Sequence, residues 1–372
     1  MPPQRRNAAA ASGKAVNVAD ASESIVAETA ARIFADLADP QTVNRAKDEA
    51  WKVPLWRAIE EAGLALAWVP DDRGGSGASI ADGFAVLGAA GRCALAAPLA
   101  ETLLAGWLLS RAGLHSPTGA MTAAPARPHD HIALGSDGTL KGAARHVPFA
   151  SAAQHIAVLA EGSKGAVVAL VATKDCRVTD GRSLAGDPSD AINFDHVKPL
   201  QVAPAPAGID PAALMLMGSV IRAVETAGAL EAILAMAVAY ANERVAFERP
   251  IGKFQAVQQN LARLAGEVAA ALAVSGSAAD AMANADEIDD AVFLEAASAK
   301  IRCAEAAQEG AAIAHQVFGA IGFTKEHALH RFTLRMLGWR DDFGNESHWA
   351  AELGRRVAQR GADEFWPLVA SR

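Results

Sequence analysis

Cysteine is scarce in this chain: Cys93, Cys176 and Cys303 are the only three among 372 residues. So few thiols, so widely scattered, exclude a disulfide framework and a zinc site, and they suit a reducing, cytoplasmic compartment. Charged residues are sparse too, at 20%, but a hydrophobic content of 51% keeps the chain far from the composition of disorder. No long uninterrupted apolar run occurs; the richest stretch, Met215 to Tyr240, is broken by Arg222, Glu225 and Glu231, so a membrane span is not expected. The formal net charge is −8 and there is no Lys/Arg block. Nothing here would draw in a phosphate backbone, and nucleic acid is excluded as an expected partner.

What is present divides into four stretches. Residues 1–22 show no periodic apolar face and no apolar secretory core; a disordered, solvated tail is the expectation, with an acid-poor organellar transit peptide as the alternative. Over 23–113 the signals are helical. Ser24 precedes Ile25, Thr29, Ile33 and Leu37 as a capping residue, with Pro40 beyond the helix end. Trp51, Leu55 and Ile59 lead to Gly63 as a left-handed stop, and Ala78–Gly113 resumes helical spacing with a break at Pro98. The intervening Gly74-Gly75-Ser76-Gly77 lacks the Lys-Ser/Thr of a phosphate loop and reads as a turn.

Over 114–207 the character changes. His115–Pro128 has a linker composition, and it is followed by short runs at Ile132–Leu134, Leu140–Val147, Ile156–Ala160, Ala166–Ala172 and Ala191–Val197, separated by turn residues. A small antiparallel β domain is predicted. From 208 to 372 the pattern is helical again: Leu261, Leu264, Val268 and Leu272 share a face, and turns fall at Asn284–Asp290 and Gly319–Gly322. The fold class is therefore α+β, mostly α: an N-terminal helical domain, a middle β domain and a C-terminal helical bundle.

Two strings in the last domain, Glu243-Arg244-Val245-Ala246-Phe247-Glu248-Arg249-Pro250-Ile251-Gly252-Lys253-Phe254-Gln255 and His315-Gln316-Val317-Phe318-Gly319-Ala320-Ile321-Gly322-Phe323-Thr324, stand in this order and separation. Together with Trp56–Gly77 and Gly91-Arg92 they resemble the acyl-CoA dehydrogenase family of flavoenzymes. The resemblance implies FAD, with Arg244, Phe247, Gln255, Gln316 and Gly319 as contacts to a cofactor held mainly by a neighbouring subunit. An arginine suits a pyrophosphate because its planar fork makes charge-assisted hydrogen bonds. Two departures stand out: the family usually has glycine where this chain has Glu248, and its flavin-flanking Trp and Thr have no counterpart in His146-Val147-Pro148-Phe149.

The reaction implied removes a proton from the carbon next to a thioester carbonyl, which requires a shielded carboxylate. The family's usual base position falls on Phe343, and its alternative position on the first bundle helix falls near Gly218; neither is an acid. Asp342, one residue away, is the expected base, with Glu346 and then Glu225 as weaker candidates. His129 and His131 make an incomplete metal set, and no Gly-x-Ser-x-Gly elbow indicates a hydrolase. The expected activity is α,β-dehydrogenation of an acyl-CoA thioester, in fatty acid or steroid side-chain β-oxidation, with electrons passed to a separate acceptor protein. The expected assembly is a homo-oligomer or a hetero-oligomer with a homologous chain. The rival readings are a non-catalytic partner subunit and a flavin-dependent oxidation of a substrate other than a CoA ester.

Overall fold

Among the described residues five α-helices come first: α1 (Ile25–Leu37), α2 (Pro40–Arg45), α3 (Lys52–Glu61), α4 (Ile80–Arg92) and α5 (Leu99–Arg111). The computed structural model describes residues 25–285 and 287–370, so the tail and the Ser24 cap lie outside the described residues. Gly63 closes α3 at φ 70°, and Ser79 starts α4 with a reciprocal cap to Asp82. In α5 every residue from Leu99 to Leu109 is buried. It is enclosed over that whole stretch, which is why it shows little amphipathic contrast.

Eight strands form one sheet: β1 (Met121–Ala124), β2 (His131–Leu134), β3 (Leu140–Pro148), β4 (His155–Gly162), β5 (Gly165–Ala172), β6 (Arg177–Thr179), β7 (Ser189–Val197) and β8 (Gln201–Pro204). Their order is β6-β7-β3-β2-β4-β5-β8, with β1 added on β4. Two expectations are corrected here. The stretch read as a linker contains β1, and the sheet is not purely antiparallel, since β1 and β2 both pair with β4 in parallel. All four residues of β1 are buried, with α5 packed against the strand, so it carries no alternation for a sequence to display.

The bundle comprises α6 (Pro211–Glu243), a hairpin of β9 (Val245–Ala246) and β10 (Arg249–Pro250), α7 (Gln255–Asn284), α8 (Asp290–Phe318), α9 (Leu329–Trp339), α10 (Glu346–Arg360) and α11 (Ala362–Ala370). Asp210 caps α6 by accepting from the Ala213 N–H at 2.8 Å, with Pro211 in the first turn. This helix packs against α4, α7 and α8. The buried stripe of α7 runs through Leu264, Val268, Ala271, Ser275 and Ala278, while Leu272 is 39% exposed at its edge. By length and composition alone α6 and α7 could each cross a bilayer. What α6 buries, however, includes Arg222 and Glu225, which are paired inside the protein.

Candidate functional site

Gly218 and Phe343 meet. A Cβ on Gly218 would stand 2.4 Å from the Phe343 ring, so the glycine makes room for the aromatic. Phe343 is buried at φ 53°, and its carbonyl accepts from the Trp349 indole N–H at 3.0 Å. The two positions at which the sequence resemblance seats a base thus face the same space, and neither bears a proton acceptor.

Around them lies a buried ionic cluster drawn from four elements. The Arg222 guanidinium of α6 donates to Glu101 of α5 at 2.5 Å, to Glu225 one turn on at 2.6 Å, and to Asp342 of the α9–α10 loop at 3.0 Å. Its cationic carbon also lies 5.8 Å from the Trp339 ring centroid and 5.9 Å from that of Phe343. Lys300 of α8 donates to the carbonyls of Trp339 at 2.6 Å and Asp342 at 2.8 Å. The loop that carries Phe343 is therefore fastened from two sides.

Burial sets the protonation of this cluster. It pushes the Glu225 carboxyl up to about 7 despite Arg222 beside it, and it raises Glu101, whose Oε2 has no hydrogen-bond partner among the described residues. Burial works against the Arg222 charge, but the carboxylates around it prevail and hold it protonated. Lys300, buried against carbonyls, is pulled down to about 7. An amine whose folded pKa lies below its unfolded value adds stability that is present at high pH and lost as pH falls toward 7. We expect the urea midpoint of wild type to gain on that of Lys300→Met between pH 7 and 8.5, by about 1–2 kcal/mol of stability. Parallel midpoints across that window would place the lysine elsewhere in its titration.

Asp342 is therefore engaged by Arg222, and Glu346 is engaged by Arg340, whose hydrogen bond holds Glu346 below its usual range against the opposing effect of burial. Glu225 lies behind Arg222 in the same cluster. Between Pro148 and Phe149 of the sheet and Arg222, Trp339 and Asp342 of the bundle, the seam encloses about 20 Å³. Phe149 is buried there at φ 54°, and Arg335 closes the rim with a two-pronged pair to Asp187 at 2.7 Å. A roomier cavity of about 400 Å³ opens at the start of α6, lined by Met215, Leu216, Phe293 and Trp349 with Arg127 and Arg356.

The other candidates gather at the opposite end of the bundle, where α6 and α8 end and α7 begins. Arg244, Phe247, Gln255, Gln316 and Gly319 are all exposed, and Phe247 shows 89% of its surface. Arg244 makes no ion pair or side-chain hydrogen bond among the described residues, and Arg249 stacks on Phe254 at 4.2 Å. Phe247 and Glu248 both have left-handed backbone, at φ 52° and 65°. That conformation accounts for a glycine preference at position 248, and the glutamate adopts it at a cost of about 1 kcal/mol. From Gly218 to Arg244 the helix advances 26 residues, about 39 Å at 1.5 Å each. One dinucleotide cannot reach from this chain's Arg244 to its own Phe343. His131, singled out beside His129, pairs with Glu161 at 2.7 Å, and no metal-binding cluster occurs among the described residues.

Comparison with known proteins bears on this geometry. Residues 213–346 match the family model described as acyl-CoA dehydrogenase, C-terminal domain. The chain is 30% identical over 342 residues to acyl-CoA dehydrogenase IpdE2 of Mycobacterium tuberculosis, covering 91% of this chain and 96% of that protein. Among solved structures it resembles a chain of the ChsE4-ChsE5 complex from Mycobacterium tuberculosis, at 25% identity and a TM-score of 0.80, covering 92% and 99% of the two chains. It also resembles a chain of the Tcur3481-Tcur3483 steroid ACAD, at 25% identity and a TM-score of 0.77, covering 90% and 97%.

Proposed function

We propose that this chain, which belongs to the acyl-CoA dehydrogenase family, works as one subunit of a mixed assembly whose homologous partner supplies the catalytic base. The reaction class is oxidation of a CH–CH bond in an acyl-CoA thioester with FAD as cofactor. Bound FAD supplies the hydride acceptor, and a separate protein is the proposed outlet for its electrons.

The observation that carries the reading is Phe343 packed on Gly218: both base positions are filled by groups without a proton acceptor, and Glu101, Glu225, Asp342 and Glu346 are each paired with an arginine. FAD fits one end of this chain and not the other. The exposed Arg244, Phe247, Gln255, Gln316 and Gly319 offer charge, an aromatic face and amides to a cofactor approaching from outside. The seam of about 20 Å³ beside Phe149 has no room for three fused rings. The chain's own residues then do three things: they present Arg244 to a neighbour's cofactor, they fill with ion pairs the space beside Phe343, and they offer the cavity at the start of α6 to the CoA arm of a thioester. The likeness to chains of two-component complexes supports this division of labour. A role in fatty acid or steroid side-chain breakdown and a cytoplasmic location belong to the same proposal.

The test is anaerobic flavin reduction by a panel of acyl-CoA esters, with the chain alone and co-purified with a homologous partner. We expect no reduction by the chain alone, reduction by the assembly, and rates within about twofold of wild type when Asp342→Asn or Glu346→Gln is introduced here. Loss of several orders of magnitude in Asp342→Asn, with the urea midpoint unchanged, would assign the base to this chain, since a neutral amide takes no proton.

A further inference from the structure

Between the last turns of α5, the start of α6 and the α7–α8 junction lies a cavity of about 470 Å³ that the proposed reaction does not use. Trp68, Trp107, Met217, Met282 and Ile288 give it an apolar, adaptable side, and Ser110, Arg111 and Glu287 give it a polar one. Trp68 is fixed, because its indole N–H donates to the Ile80 carbonyl at 3.0 Å and Gly83 leaves the ring its place; a Cβ at 83 would fall 1.9 Å from that nitrogen.

Trp107 is different. It is 93% buried, its exposure being 7%, yet its indole N–H makes no hydrogen bond to any described residue and is not a sealed orphan atom. A buried donor left in this state is ordinarily satisfied from the space it borders. At the mouth stand Arg111, exposed and without an ion pair among the described residues, and Glu287. Ser110, also at the wall, is committed to the Trp107 carbonyl at 2.9 Å.

We propose that this cavity binds a free carboxylic acid with an apolar body, the carboxylate taking the Trp107 N–H and Arg111 while the body lies against the indole and thioether walls. The volume lies within the range of small-molecule pockets, about 300–1,000 Å³. One arginine offset by one glutamate suits a single carboxylate rather than the several phosphates of a CoA ester. Glu287 opposes the ligand by its charge, so the two mouth residues act with opposite sign. The inference stands apart from the mixed-subunit reading, since it calls on no FAD, base or partner.

The probe is dodecanoate, with dodecanol as its uncharged counterpart and CoA as the phosphate-bearing control, titrated calorimetrically into the chain. Dodecanoate is expected to bind at micromolar concentration. Arg111→Gln is expected to weaken it about fivefold and Glu287→Gln to tighten it about threefold. Met282→Trp, which fills the cavity from its half-buried rim, is expected to abolish binding, and Trp107→Phe to weaken it about fivefold. Dodecanol binding as tightly as dodecanoate, no response to either mouth substitution, or no heat with any of the three probes would overturn the proposal. Because Arg111 and Glu287 lie at the mouth, outside the core, their variants keep the test readable should a core variant fail to fold.

Discussion

Arg222→Met is expected to cost about 3–5 kcal/mol of stability, because it strands three carboxyl groups in the interior without their cation. That is a large share of the total stability of a typical domain, about 5–15 kcal/mol. Neutralising the partners as well, in the combination Arg222→Met, Glu101→Gln, Glu225→Gln and Asp342→Asn, is expected to recover most of the loss, since removing a whole buried ion cluster costs far less than removing one member. Urea midpoints of the single and quadruple variants check this. A single variant within about 1 kcal/mol of wild type would mean that the carboxyls are held neutral and the guanidinium charge contributes little.

The second large effect concerns the far end of the bundle. In the co-purified assembly, Arg244→Ala is expected to lower FAD retention about 10–100-fold, the worth of a charge-assisted hydrogen bond or two to a pyrophosphate. The fold should be untouched, because Arg244 is exposed and contributes no ion pair within the described residues. Arg249→Ala serves as the comparison: it removes a stacking contact with Phe254 in the same hairpin, and FAD retention should stay within about threefold of wild type. Equal FAD loss from both variants would point to the hairpin's shape rather than to the Arg244 charge.

The helix–sheet–helix order was legible in the sequence because helical spacing at Leu264 and Val268 and turn-bounded runs such as Ala166–Ala172 are local signals. The short buried strand β1 gave no such signal. Counting along the sequence also singled out Phe343 and Gly218, which the structure brings together. What surrounds them was not legible, because Arg222 finds Glu101 across 121 positions and Asp342 across 120, and a pairing at that range leaves no periodic trace. One clue was available. Arg222 and Glu225 interrupt the most apolar stretch of the chain, and charges inside an enclosed helix require partners. Lys300, set among alanines in α8, posed the same question.

Gly218 and Phe343 occupy each other's room, so a carboxylate cannot be installed at either position by one small step. A glutamate at 218 would drive its Cβ into the phenyl ring, and a glutamate at 343 would enter a dry space whose arginine is already shared by three carboxyls. Either change alone is expected to destabilise the fold. The pair acts as a two-key lock: a carboxylate fits at either position only through simultaneous replacement of both residues and a rearranged ion cluster.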